Sequence, residues 1–306
     1  MKDRFWRLLC CLALIGIAQA SSGPKVDAIL PSPAIHDAFF MTDDRIRIHY
    51  LVAGRMTAKP PIVFIPGWRL TASLWNRQMQ VFSRDRLVIA IDSRSQGDSS
   101  IALFGNTPER RAIDLHQLIA SRRITKFSIV AWSQGVQDTA AYIERYGTTS
   151  LATITLVDSP ISAGPEELTV HPGFSKAVLS RIEQYDLDPG TSTERSVRSV
   201  FGKSYPDPFI RHVIDKASKT PPSIAIAMLT ADIFGIDRRS VVNKIDRPTL
   251  VIASSTSPLL DAQKDMAAAI PSARWIVVPE AGHALFIDEP DIFDRELTAL
   301  LEAARA

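Results

Sequence analysis

The chain has 306 residues, of which 46% are hydrophobic, and its 35 basic and 33 acidic side chains leave a formal net charge of +2. This balance lacks the basic excess typical of nucleic-acid-binding proteins, so we expect no nucleic-acid partner. Length and hydrophobic content suffice for one large domain, or for one domain with an insertion.

Residues 1–20 have the pattern of a secretory signal peptide. Lys2, Arg4 and Arg7 precede an apolar run that ends in Ala18-Gln19-Ala20, a small-X-small cleavage site. The run is too short to span a bilayer and remain there. We predict a secreted or periplasmic protein with no stable membrane span after cleavage, and an uncleaved anchor is the alternative.

Both cysteines, Cys10 and Cys11, lie in this signal segment. The mature chain therefore has no cysteine for a disulfide or a thiolate metal site, and its stability has to come from its core. Cleavage of this segment also removes Lys2, Arg4, Arg7 and Asp3, so the mature chain has no formal net charge.

Two kinds of periodicity follow along the mature chain. Residues 39–41 and 46–52 form a candidate antiparallel strand pair, the second with alternating apolar residues. Short apolar runs typical of buried parallel strands then recur at 62–65, 87–91, 127–130, 154–157, 249–252 and 275–278. Helical spacing of apolar residues appears between them, at 73–82, 108–121, 134–146, 261–270 and 291–304.

The strand pattern is interrupted between Pro160 and Ile245, where the periodicity is helical. We interpret residues 161–245 as a helical cap inserted into a core formed by 21–160 and 246–306. A separate, unrelated domain is the alternative, but the return of strand pattern at Pro248 favours an insertion.

A β-branched run ends in Ala131-Trp132-Ser133-Gln134-Gly135 and passes directly into helical spacing. A serine at the apex of such a strand-turn-helix can stand clear of the sheet and act as a nucleophile, and small flanking residues let strand and helix approach closely. The alternative is an ordinary turn with a capping serine.

Two other loops follow predicted strands and suit partners of Ser133. Gly67 allows the backbone to turn so that the N–H of Trp68 can join that of Gln134 in an oxyanion hole. His283 follows the last predicted strand, where a general base is expected.

Five motifs occur in order over nearly the whole mature chain: Ile65-Pro66-Gly67-Trp68, Asp92-Ser93-Arg94-Ser95-Gln96-Gly97-Asp98-Ser99, the serine motif, Asp246-Arg247-Pro248-Thr249-Leu250-Val251-Ile252 and Glu280-Ala281-Gly282-His283. This ordered set resembles the α/β-hydrolase superfamily, in particular its capped, esterase- and lipase-like members. The resemblance implies an α/β fold with a mostly parallel central sheet flanked by helices, and a helical cap after the sixth core strand. The loop 92–99 has a structural role in this interpretation.

The sequence departs from the family pattern at the triad acid. The family usually places an aspartate just after the strand at 249–252, where this chain has Ala253-Ser254-Ser255-Thr256-Ser257. Some relatives carry the acid on the neighbouring strand instead, which here ends at Asp158. We favour Asp158 as the acid, with Asp261 as the alternative.

The sequence thus predicts a serine hydrolase that cleaves a carboxylic ester or lactone through Ser133, His283, Asp158 and an acyl-enzyme. Trp132 is predicted to line an apolar substrate pocket. The expected partner is a small molecule with an acyl group, and we expect no cofactor and no metal. Alternatives are an acyl transferase, a perhydrolase, a carbon–carbon bond hydrolase, or a non-catalytic binding protein on the same scaffold.

Overall fold

The structure is a computed structural model that describes residues 33–162 and 172–304, and every structural statement below concerns these residues. The predicted signal peptide and both cysteines lie outside them. Within the described ranges, the chain forms a single sheet with helices on both faces, which confirms the predicted α/β class.

The sheet of the described chain has eight strands in the order β1-β2-β4-β3-β5-β6-β7-β8. β2 runs antiparallel to β1 and β4, and all other neighbouring pairs are parallel. The strands are β1 (His36–Met41), β2 (Arg47–Ala53), β3 (Ile62–Ile65), β4 (Val88–Ile91), β5 (Phe127–Trp132), β6 (Leu151–Val157), β7 (Thr249–Ser254) and β8 (Ala273–Val278).

Burial of both faces explains the continuous apolar strands. Because successive side chains point to opposite faces, β3 places Ile62 and Phe64 in one core cluster and Val63 and Ile65 in the other. All four side chains are at most 2% exposed.

The core helices follow the predicted segments closely. Gly135, in the first turn of the helix Gln134–Tyr146, lies so close to β3 that an added Cβ would be 2.8 Å from Cγ2 of Ile65. Glycine is therefore required where this helix meets the sheet. The core helices are α1 (Asn76–Phe82), preceded by a 3₁₀ turn (Ala72–Trp75), α2 (Pro108–Ser121), α3 (Gln134–Tyr146), α8 (Leu260–Ala269), α9 (Leu285–Asp288) and α10 (Pro290–Ala303).

Four helices of the described chain lie between β6 and β7, in the stretch predicted as a cap: α4 (Pro172–Leu187), α5 (Pro189–Ser199), α6 (Asp207–Ala217) and α7 (Pro222–Phe234). A 3₁₀ segment, Arg239–Lys244, leads back to the core. We call α4 to α7 the cap helices. The boundaries 21–160, 161–245 and 246–306 remain predictions.

The cap helices are fastened to the core by polar contacts. Nε1 of Trp68 donates to the carbonyl oxygen of Ala225 on α7 at 2.9 Å. Lys216 and Lys219, at the end of α6, both form ion pairs with Asp98 of the core loop 92–99. In the described ranges, no helix is both long enough and apolar enough to cross a bilayer.

Candidate active site

Ser133 occupies a strained turn between β5 and α3. Its backbone has φ 56° and ψ −119°, a region that residues with a side chain rarely adopt. The turn is fixed by the Ser133 N–H, which donates to the Val157 carbonyl of β6 at 3.1 Å. Gly67 packs against it, since an added Cβ there would be 3.0 Å from Cβ of Ser133 and 3.4 Å from Oγ.

The structure brings His283 and Asp158 together. His283 Nδ1 lies 2.7 Å from Asp158 Oδ2, and the other carboxylate oxygen accepts the backbone N–H of Ser254 at 2.9 Å. The Asp158 side chain is 1% exposed and that of His283 is 32% exposed. A buried carboxylate thus orients a partly open imidazole.

Asp261, the alternative acid, is exposed in the first turn of α8, and in the described structure His283 is hydrogen-bonded to Asp158 and not to Asp261. At the usual position of the family's acid, the Ser254 hydroxyl donates to the Ala281 carbonyl at 2.5 Å. The end of β7 therefore supports the loop before His283 rather than the imidazole itself.

Trp132 is not where we predicted it. Its side chain is fully buried below the cavity, 4.9 Å from the ring of Phe286 and in edge contact with Trp75. Its Nε1 donates to the backbone carbonyl of His283 at 2.9 Å. The prediction of a pocket residue is wrong because the side chain before Ser133 points into the core, where it holds the His283 loop.

The two predicted oxyanion donors are available. In the ranges that the structure covers, neither the Trp68 nor the Gln134 backbone N–H has a hydrogen-bond partner. Both residues line the same cavity as Ser133. Two N–H groups without internal partners beside a serine can receive the negative oxygen of a tetrahedral intermediate.

Sequence reasoning missed a buried charge network behind Gln134. Its side-chain amide donates to Asp232 on α7, and Asp232 also accepts from Arg111 of α2 at 2.5 Å. Arg111 donates to Asp138 of α3 at 2.8 Å as well. This network connects the start of α3 to the cap.

Burial and charge pairing act in opposite directions on the pKa values of this network. Burial raises the pKa of Asp232 and raises that of Asp138 to about 7. Burial acts to lower the pKa of Arg111, but the two carboxylates outweigh it and raise that pKa. Arg111 is therefore the permanent charge of the network.

Ser133, His283 and Asp158 all line one cavity of about 990 Å³ between the core and the cap helices, at the upper end of the range for small-molecule sites. Much of its wall is apolar and comes from the cap helices and the loops around them. The apolar lining residues include Leu70, Pro160, Val178, Val197, Val200, Phe201, Ala217, Leu229, Ile233, Pro258 and Leu259.

His49, Asp92 and Asp98 have the spacing of a metal-ligand group, since their ligand atoms lie within 4.8 Å of one another. The donor set does not suit a cation. Nδ1 and Nε2 of His49 are held by Asp92 and Asp37 at 2.8 and 2.9 Å, and Asp98 is paired with lysines. Burial works against the charged imidazole, but the aspartates outweigh it and raise the pKa of His49. The group is a buried ion network that ties β2 to the loop 92–99.

Fold and site define an enzyme of the serine-hydrolase type on an α/β scaffold. A family model, the Alpha/beta hydrolase family, matches residues 62–296, and the chain belongs to this family. It is 27% identical over 280 residues to the non-heme chloroperoxidase CPO-A1 of Kitasatospora aureofaciens, covering 85% of this chain and 98% of that protein.

Solved structures show the same fold. The bromoperoxidase from Bacillus anthracis has a TM-score of 0.78 at 23% identity, covering 87% of this chain and 100% of that chain. The esterase EaEST from Exiguobacterium antarcticum has a TM-score of 0.75 at 19% identity, with the same coverage of 87% and 100%.

Proposed function

We propose that the protein is an exported serine hydrolase that cleaves a carboxylic ester or lactone through a Ser133–His283–Asp158 triad. The observation that carries the proposal is the 2.7 Å contact between His283 Nδ1 and the buried Asp158, at the cavity that Ser133 also lines. A carboxylate, an imidazole and a strained serine at one cavity are the three parts that acyl transfer requires.

The roles follow from the hydrogen bonds. Asp158 is an acceptor at both oxygens, so His283 carries its proton on Nδ1 and presents the free electron pair of Nε2. That nitrogen takes the Ser133 proton as Oγ attacks the ester carbonyl, and it returns the proton to the leaving alcohol. Water then cleaves the acyl-enzyme by the same steps in reverse.

The backbone N–H groups of Trp68 and Gln134 bind the tetrahedral oxyanion in this mechanism. Support comes from Gly67, whose missing side chain lets its loop approach Ser133, and from the absence of an internal partner for either N–H among the residues that the structure describes. Loss of one such donor typically costs about 10²–10³ in kcat, so the two contribute substantially to the rate.

The first experiment is labelling of the purified mature protein with a fluorophosphonate, read by intact mass, with Ser133→Ala as the control. We expect one adduct that maps to Ser133 and is absent from the variant. Turnover of a panel of esters and lactones would follow. No adduct on a folded protein would contradict the enzyme mechanism and support a non-catalytic binding protein instead.

Export is a separate part of the proposal and rests on residues 1–20. Expression of the full chain in a bacterium, followed by N-terminal sequencing of the periplasmic fraction, should give a chain that starts at Ser21. Retention of the intact segment in the membrane fraction would contradict cleavage.

A perhydrolase is the second candidate, because a curated relative is named as a non-heme chloroperoxidase. In this reaction hydrogen peroxide replaces water as acceptor, so the acyl-enzyme yields a peracid and free Ser133. Adding peroxide to the ester assay and measuring peracid by iodide oxidation separates the two acceptors. The Ser133→Ala variant should abolish both products.

A further inference from the structure

Arg69 is a buried cation on the cavity wall. It lies two residues beyond Gly67 in the loop after β3, is 2% exposed, and lines the same cavity as Ser133. Its backbone is in the left-handed region at φ 61°, a conformation that costs energy for a residue with a side chain. The loop thus holds this guanidinium in place at the expense of backbone strain.

No carboxylate neutralises Arg69 among residues 33–162 and 172–304. Nη2 donates to neutral oxygens, the Thr193 hydroxyl at 2.6 Å and the Ala217 carbonyl at 3.1 Å. Nε is buried and has no partner in the part of the chain that the structure covers. The guanidinium also packs on the rings of Tyr185 and Trp68, at 4.5 and 5.1 Å.

A second arginine lines the same cavity. Arg181 lies one turn before Tyr185 on α4, so the two side chains share a helix face, and Tyr185 is the ring that Arg69 packs on. Within the described ranges, Arg181 also has no carboxylate partner. Unlike Arg69, it keeps an exposed side chain.

The acidic groups of the cavity are already engaged. Asp158 is held by His283 and the Ser254 N–H, and Asp232 is held by Arg111 and Gln134. Among residues 33–162 and 172–304, the lining therefore has two cations without a carboxylate partner, Arg69 and Arg181, in a wall with a large apolar part. A buried charge without a partner is unfavourable in the free protein and strongly favours a ligand that supplies the opposite charge.

We propose that the substrate carries a free carboxylate in addition to its ester or lactone group, and that Arg69, assisted by Arg181, binds this carboxylate. The inference rests on the proposed hydrolase function of the same site. A guanidinium offers paired donors that match a carboxylate, and such charge-assisted hydrogen bonds are among the strongest that a binding site can make. Arg69 and Ser133 line the same cavity, so one ligand can reach the guanidinium with its carboxylate and the serine with its ester carbonyl.

The test compares monomethyl glutarate with methyl pentanoate, which have acyl chains of equal length and differ in the terminal carboxylate. Dimethyl glutarate is the neutral control of similar size. Methanol release or pH-stat titration gives kcat/KM for each. We expect the wild-type enzyme to prefer the charged ester by roughly tenfold to a hundredfold over both neutral esters.

Arg69→Gln should lower this preference at least tenfold, and Arg181→Gln should lower it severalfold. Arg86→Gln is the matched control, because Arg86 is also buried but pairs with Asp85 away from the cavity. It should keep the wild-type preference. If Arg69→Gln does not fold, the exposed Arg181 position still tests the proposal.

Binding to the inactive Ser133→Ala variant separates this inference from the proposed function. Calorimetry should show tighter binding of monomethyl glutarate than of methyl pentanoate, whether or not the wild-type enzyme turns over either ester. Labelling of Ser133 by fluorophosphonate without any preference for the charged ester overturns the carboxylate proposal and leaves the hydrolase. A preference in binding together with an unreactive Ser133 overturns the hydrolase and leaves the carboxylate site.

Discussion

Replacement of Asp158 by asparagine tests the triad directly, because the structure determines how the new amide must sit. One oxygen of Asp158 accepts the Ser254 backbone N–H at 2.9 Å, and the other faces His283 Nδ1 at 2.7 Å. An amide NH₂ cannot face the Ser254 N–H, since both are donors. The amide oxygen therefore takes that place, and the NH₂ group faces His283.

This orientation forces the wrong tautomer on His283. Nδ1 must accept from the asparagine amide, so the imidazole proton moves to Nε2 and the base can no longer accept the proton of Ser133. The corresponding change in a well-studied serine protease lowers kcat by about 10⁴. We expect a similar loss for Asp158→Asn, which corresponds to about 5 kcal/mol in the activation barrier.

The assay is kcat/KM on an activated ester, with the melting temperature measured in parallel to show that the fold is retained. Asp261→Asn is the matched control and should retain activity within about twofold, because Asp261 is exposed and lies outside the hydrogen bonds of His283. Activity of Asp158→Asn within tenfold of the wild type, or a larger loss in Asp261→Asn, would refute the reasoning.

Three further predictions follow from packing and charge. Gly135→Ala places a Cβ 2.8 Å from Ile65 Cγ2, so thermal unfolding should show a loss of about 1–3 kcal/mol, roughly 2–10 °C in Tm; an unchanged Tm would contradict the close helix–sheet contact. Gly67→Ala places a Cβ 3.0 Å from that of Ser133, and fluorophosphonate labelling should slow on the order of tenfold to a hundredfold while circular dichroism stays the same. The raised pKa of His49 contributes stability that is complete below its unfolded-state pKa of about 6.5 and is lost as pH rises through the folded-state value. In urea unfolding, the difference in free energy of unfolding between the wild type and His49→Gln should therefore shrink above pH 6.5. A difference that grows with pH would contradict this prediction.

Local sequence signals were sufficient to predict the bounds of two core helices, α2 and α3. α2 and α3 have the predicted bounds, because Pro108 fits only the first turn of a helix and Gly147 adopts φ 70° just beyond α3. β6 begins three residues earlier than its apolar run, at Leu151. That extension depends on pairing with Phe127 of β5, which no local pattern contains.

Chain order placed Ser133, His283 and Asp158 after predicted strands of a parallel sheet, and the resemblance to the family favoured Asp158 over Asp261 as the acid; their catalytic roles remain predictions. Local sequence could not show that Arg69 is buried and bonded to neutral oxygens, since its contacts Thr193 and Ala217 lie far along the chain. These contacts exist only after the cap helices have packed on the core.

Asp232 did leave a signal in the sequence. It is a lone acidic residue within the apolar helix α7, and a charge in such a place usually has a buried partner. Its partners Arg111 and Gln134 come from other elements and could not be named in advance. The error for Trp132 has the same origin, because the sequence does not show on which side of the sheet the last residue of β5 packs.

The loop after β3 is hydrogen-bonded to the cap helices at two consecutive residues. Trp68 bonds to Ala225, and Arg69 bonds to Thr193 and Ala217, so three cap positions fix two consecutive loop residues. For protein engineering, the loop and the cap helices therefore form one exchangeable module. Two of these acceptors are backbone carbonyls, so a chimera that receives a relative's cap but keeps this loop retains them only where the new helices lie in the same positions, and it keeps the third only where a hydroxyl stands at the position of Thr193. A graft that transfers the loop together with its cap keeps all three contacts.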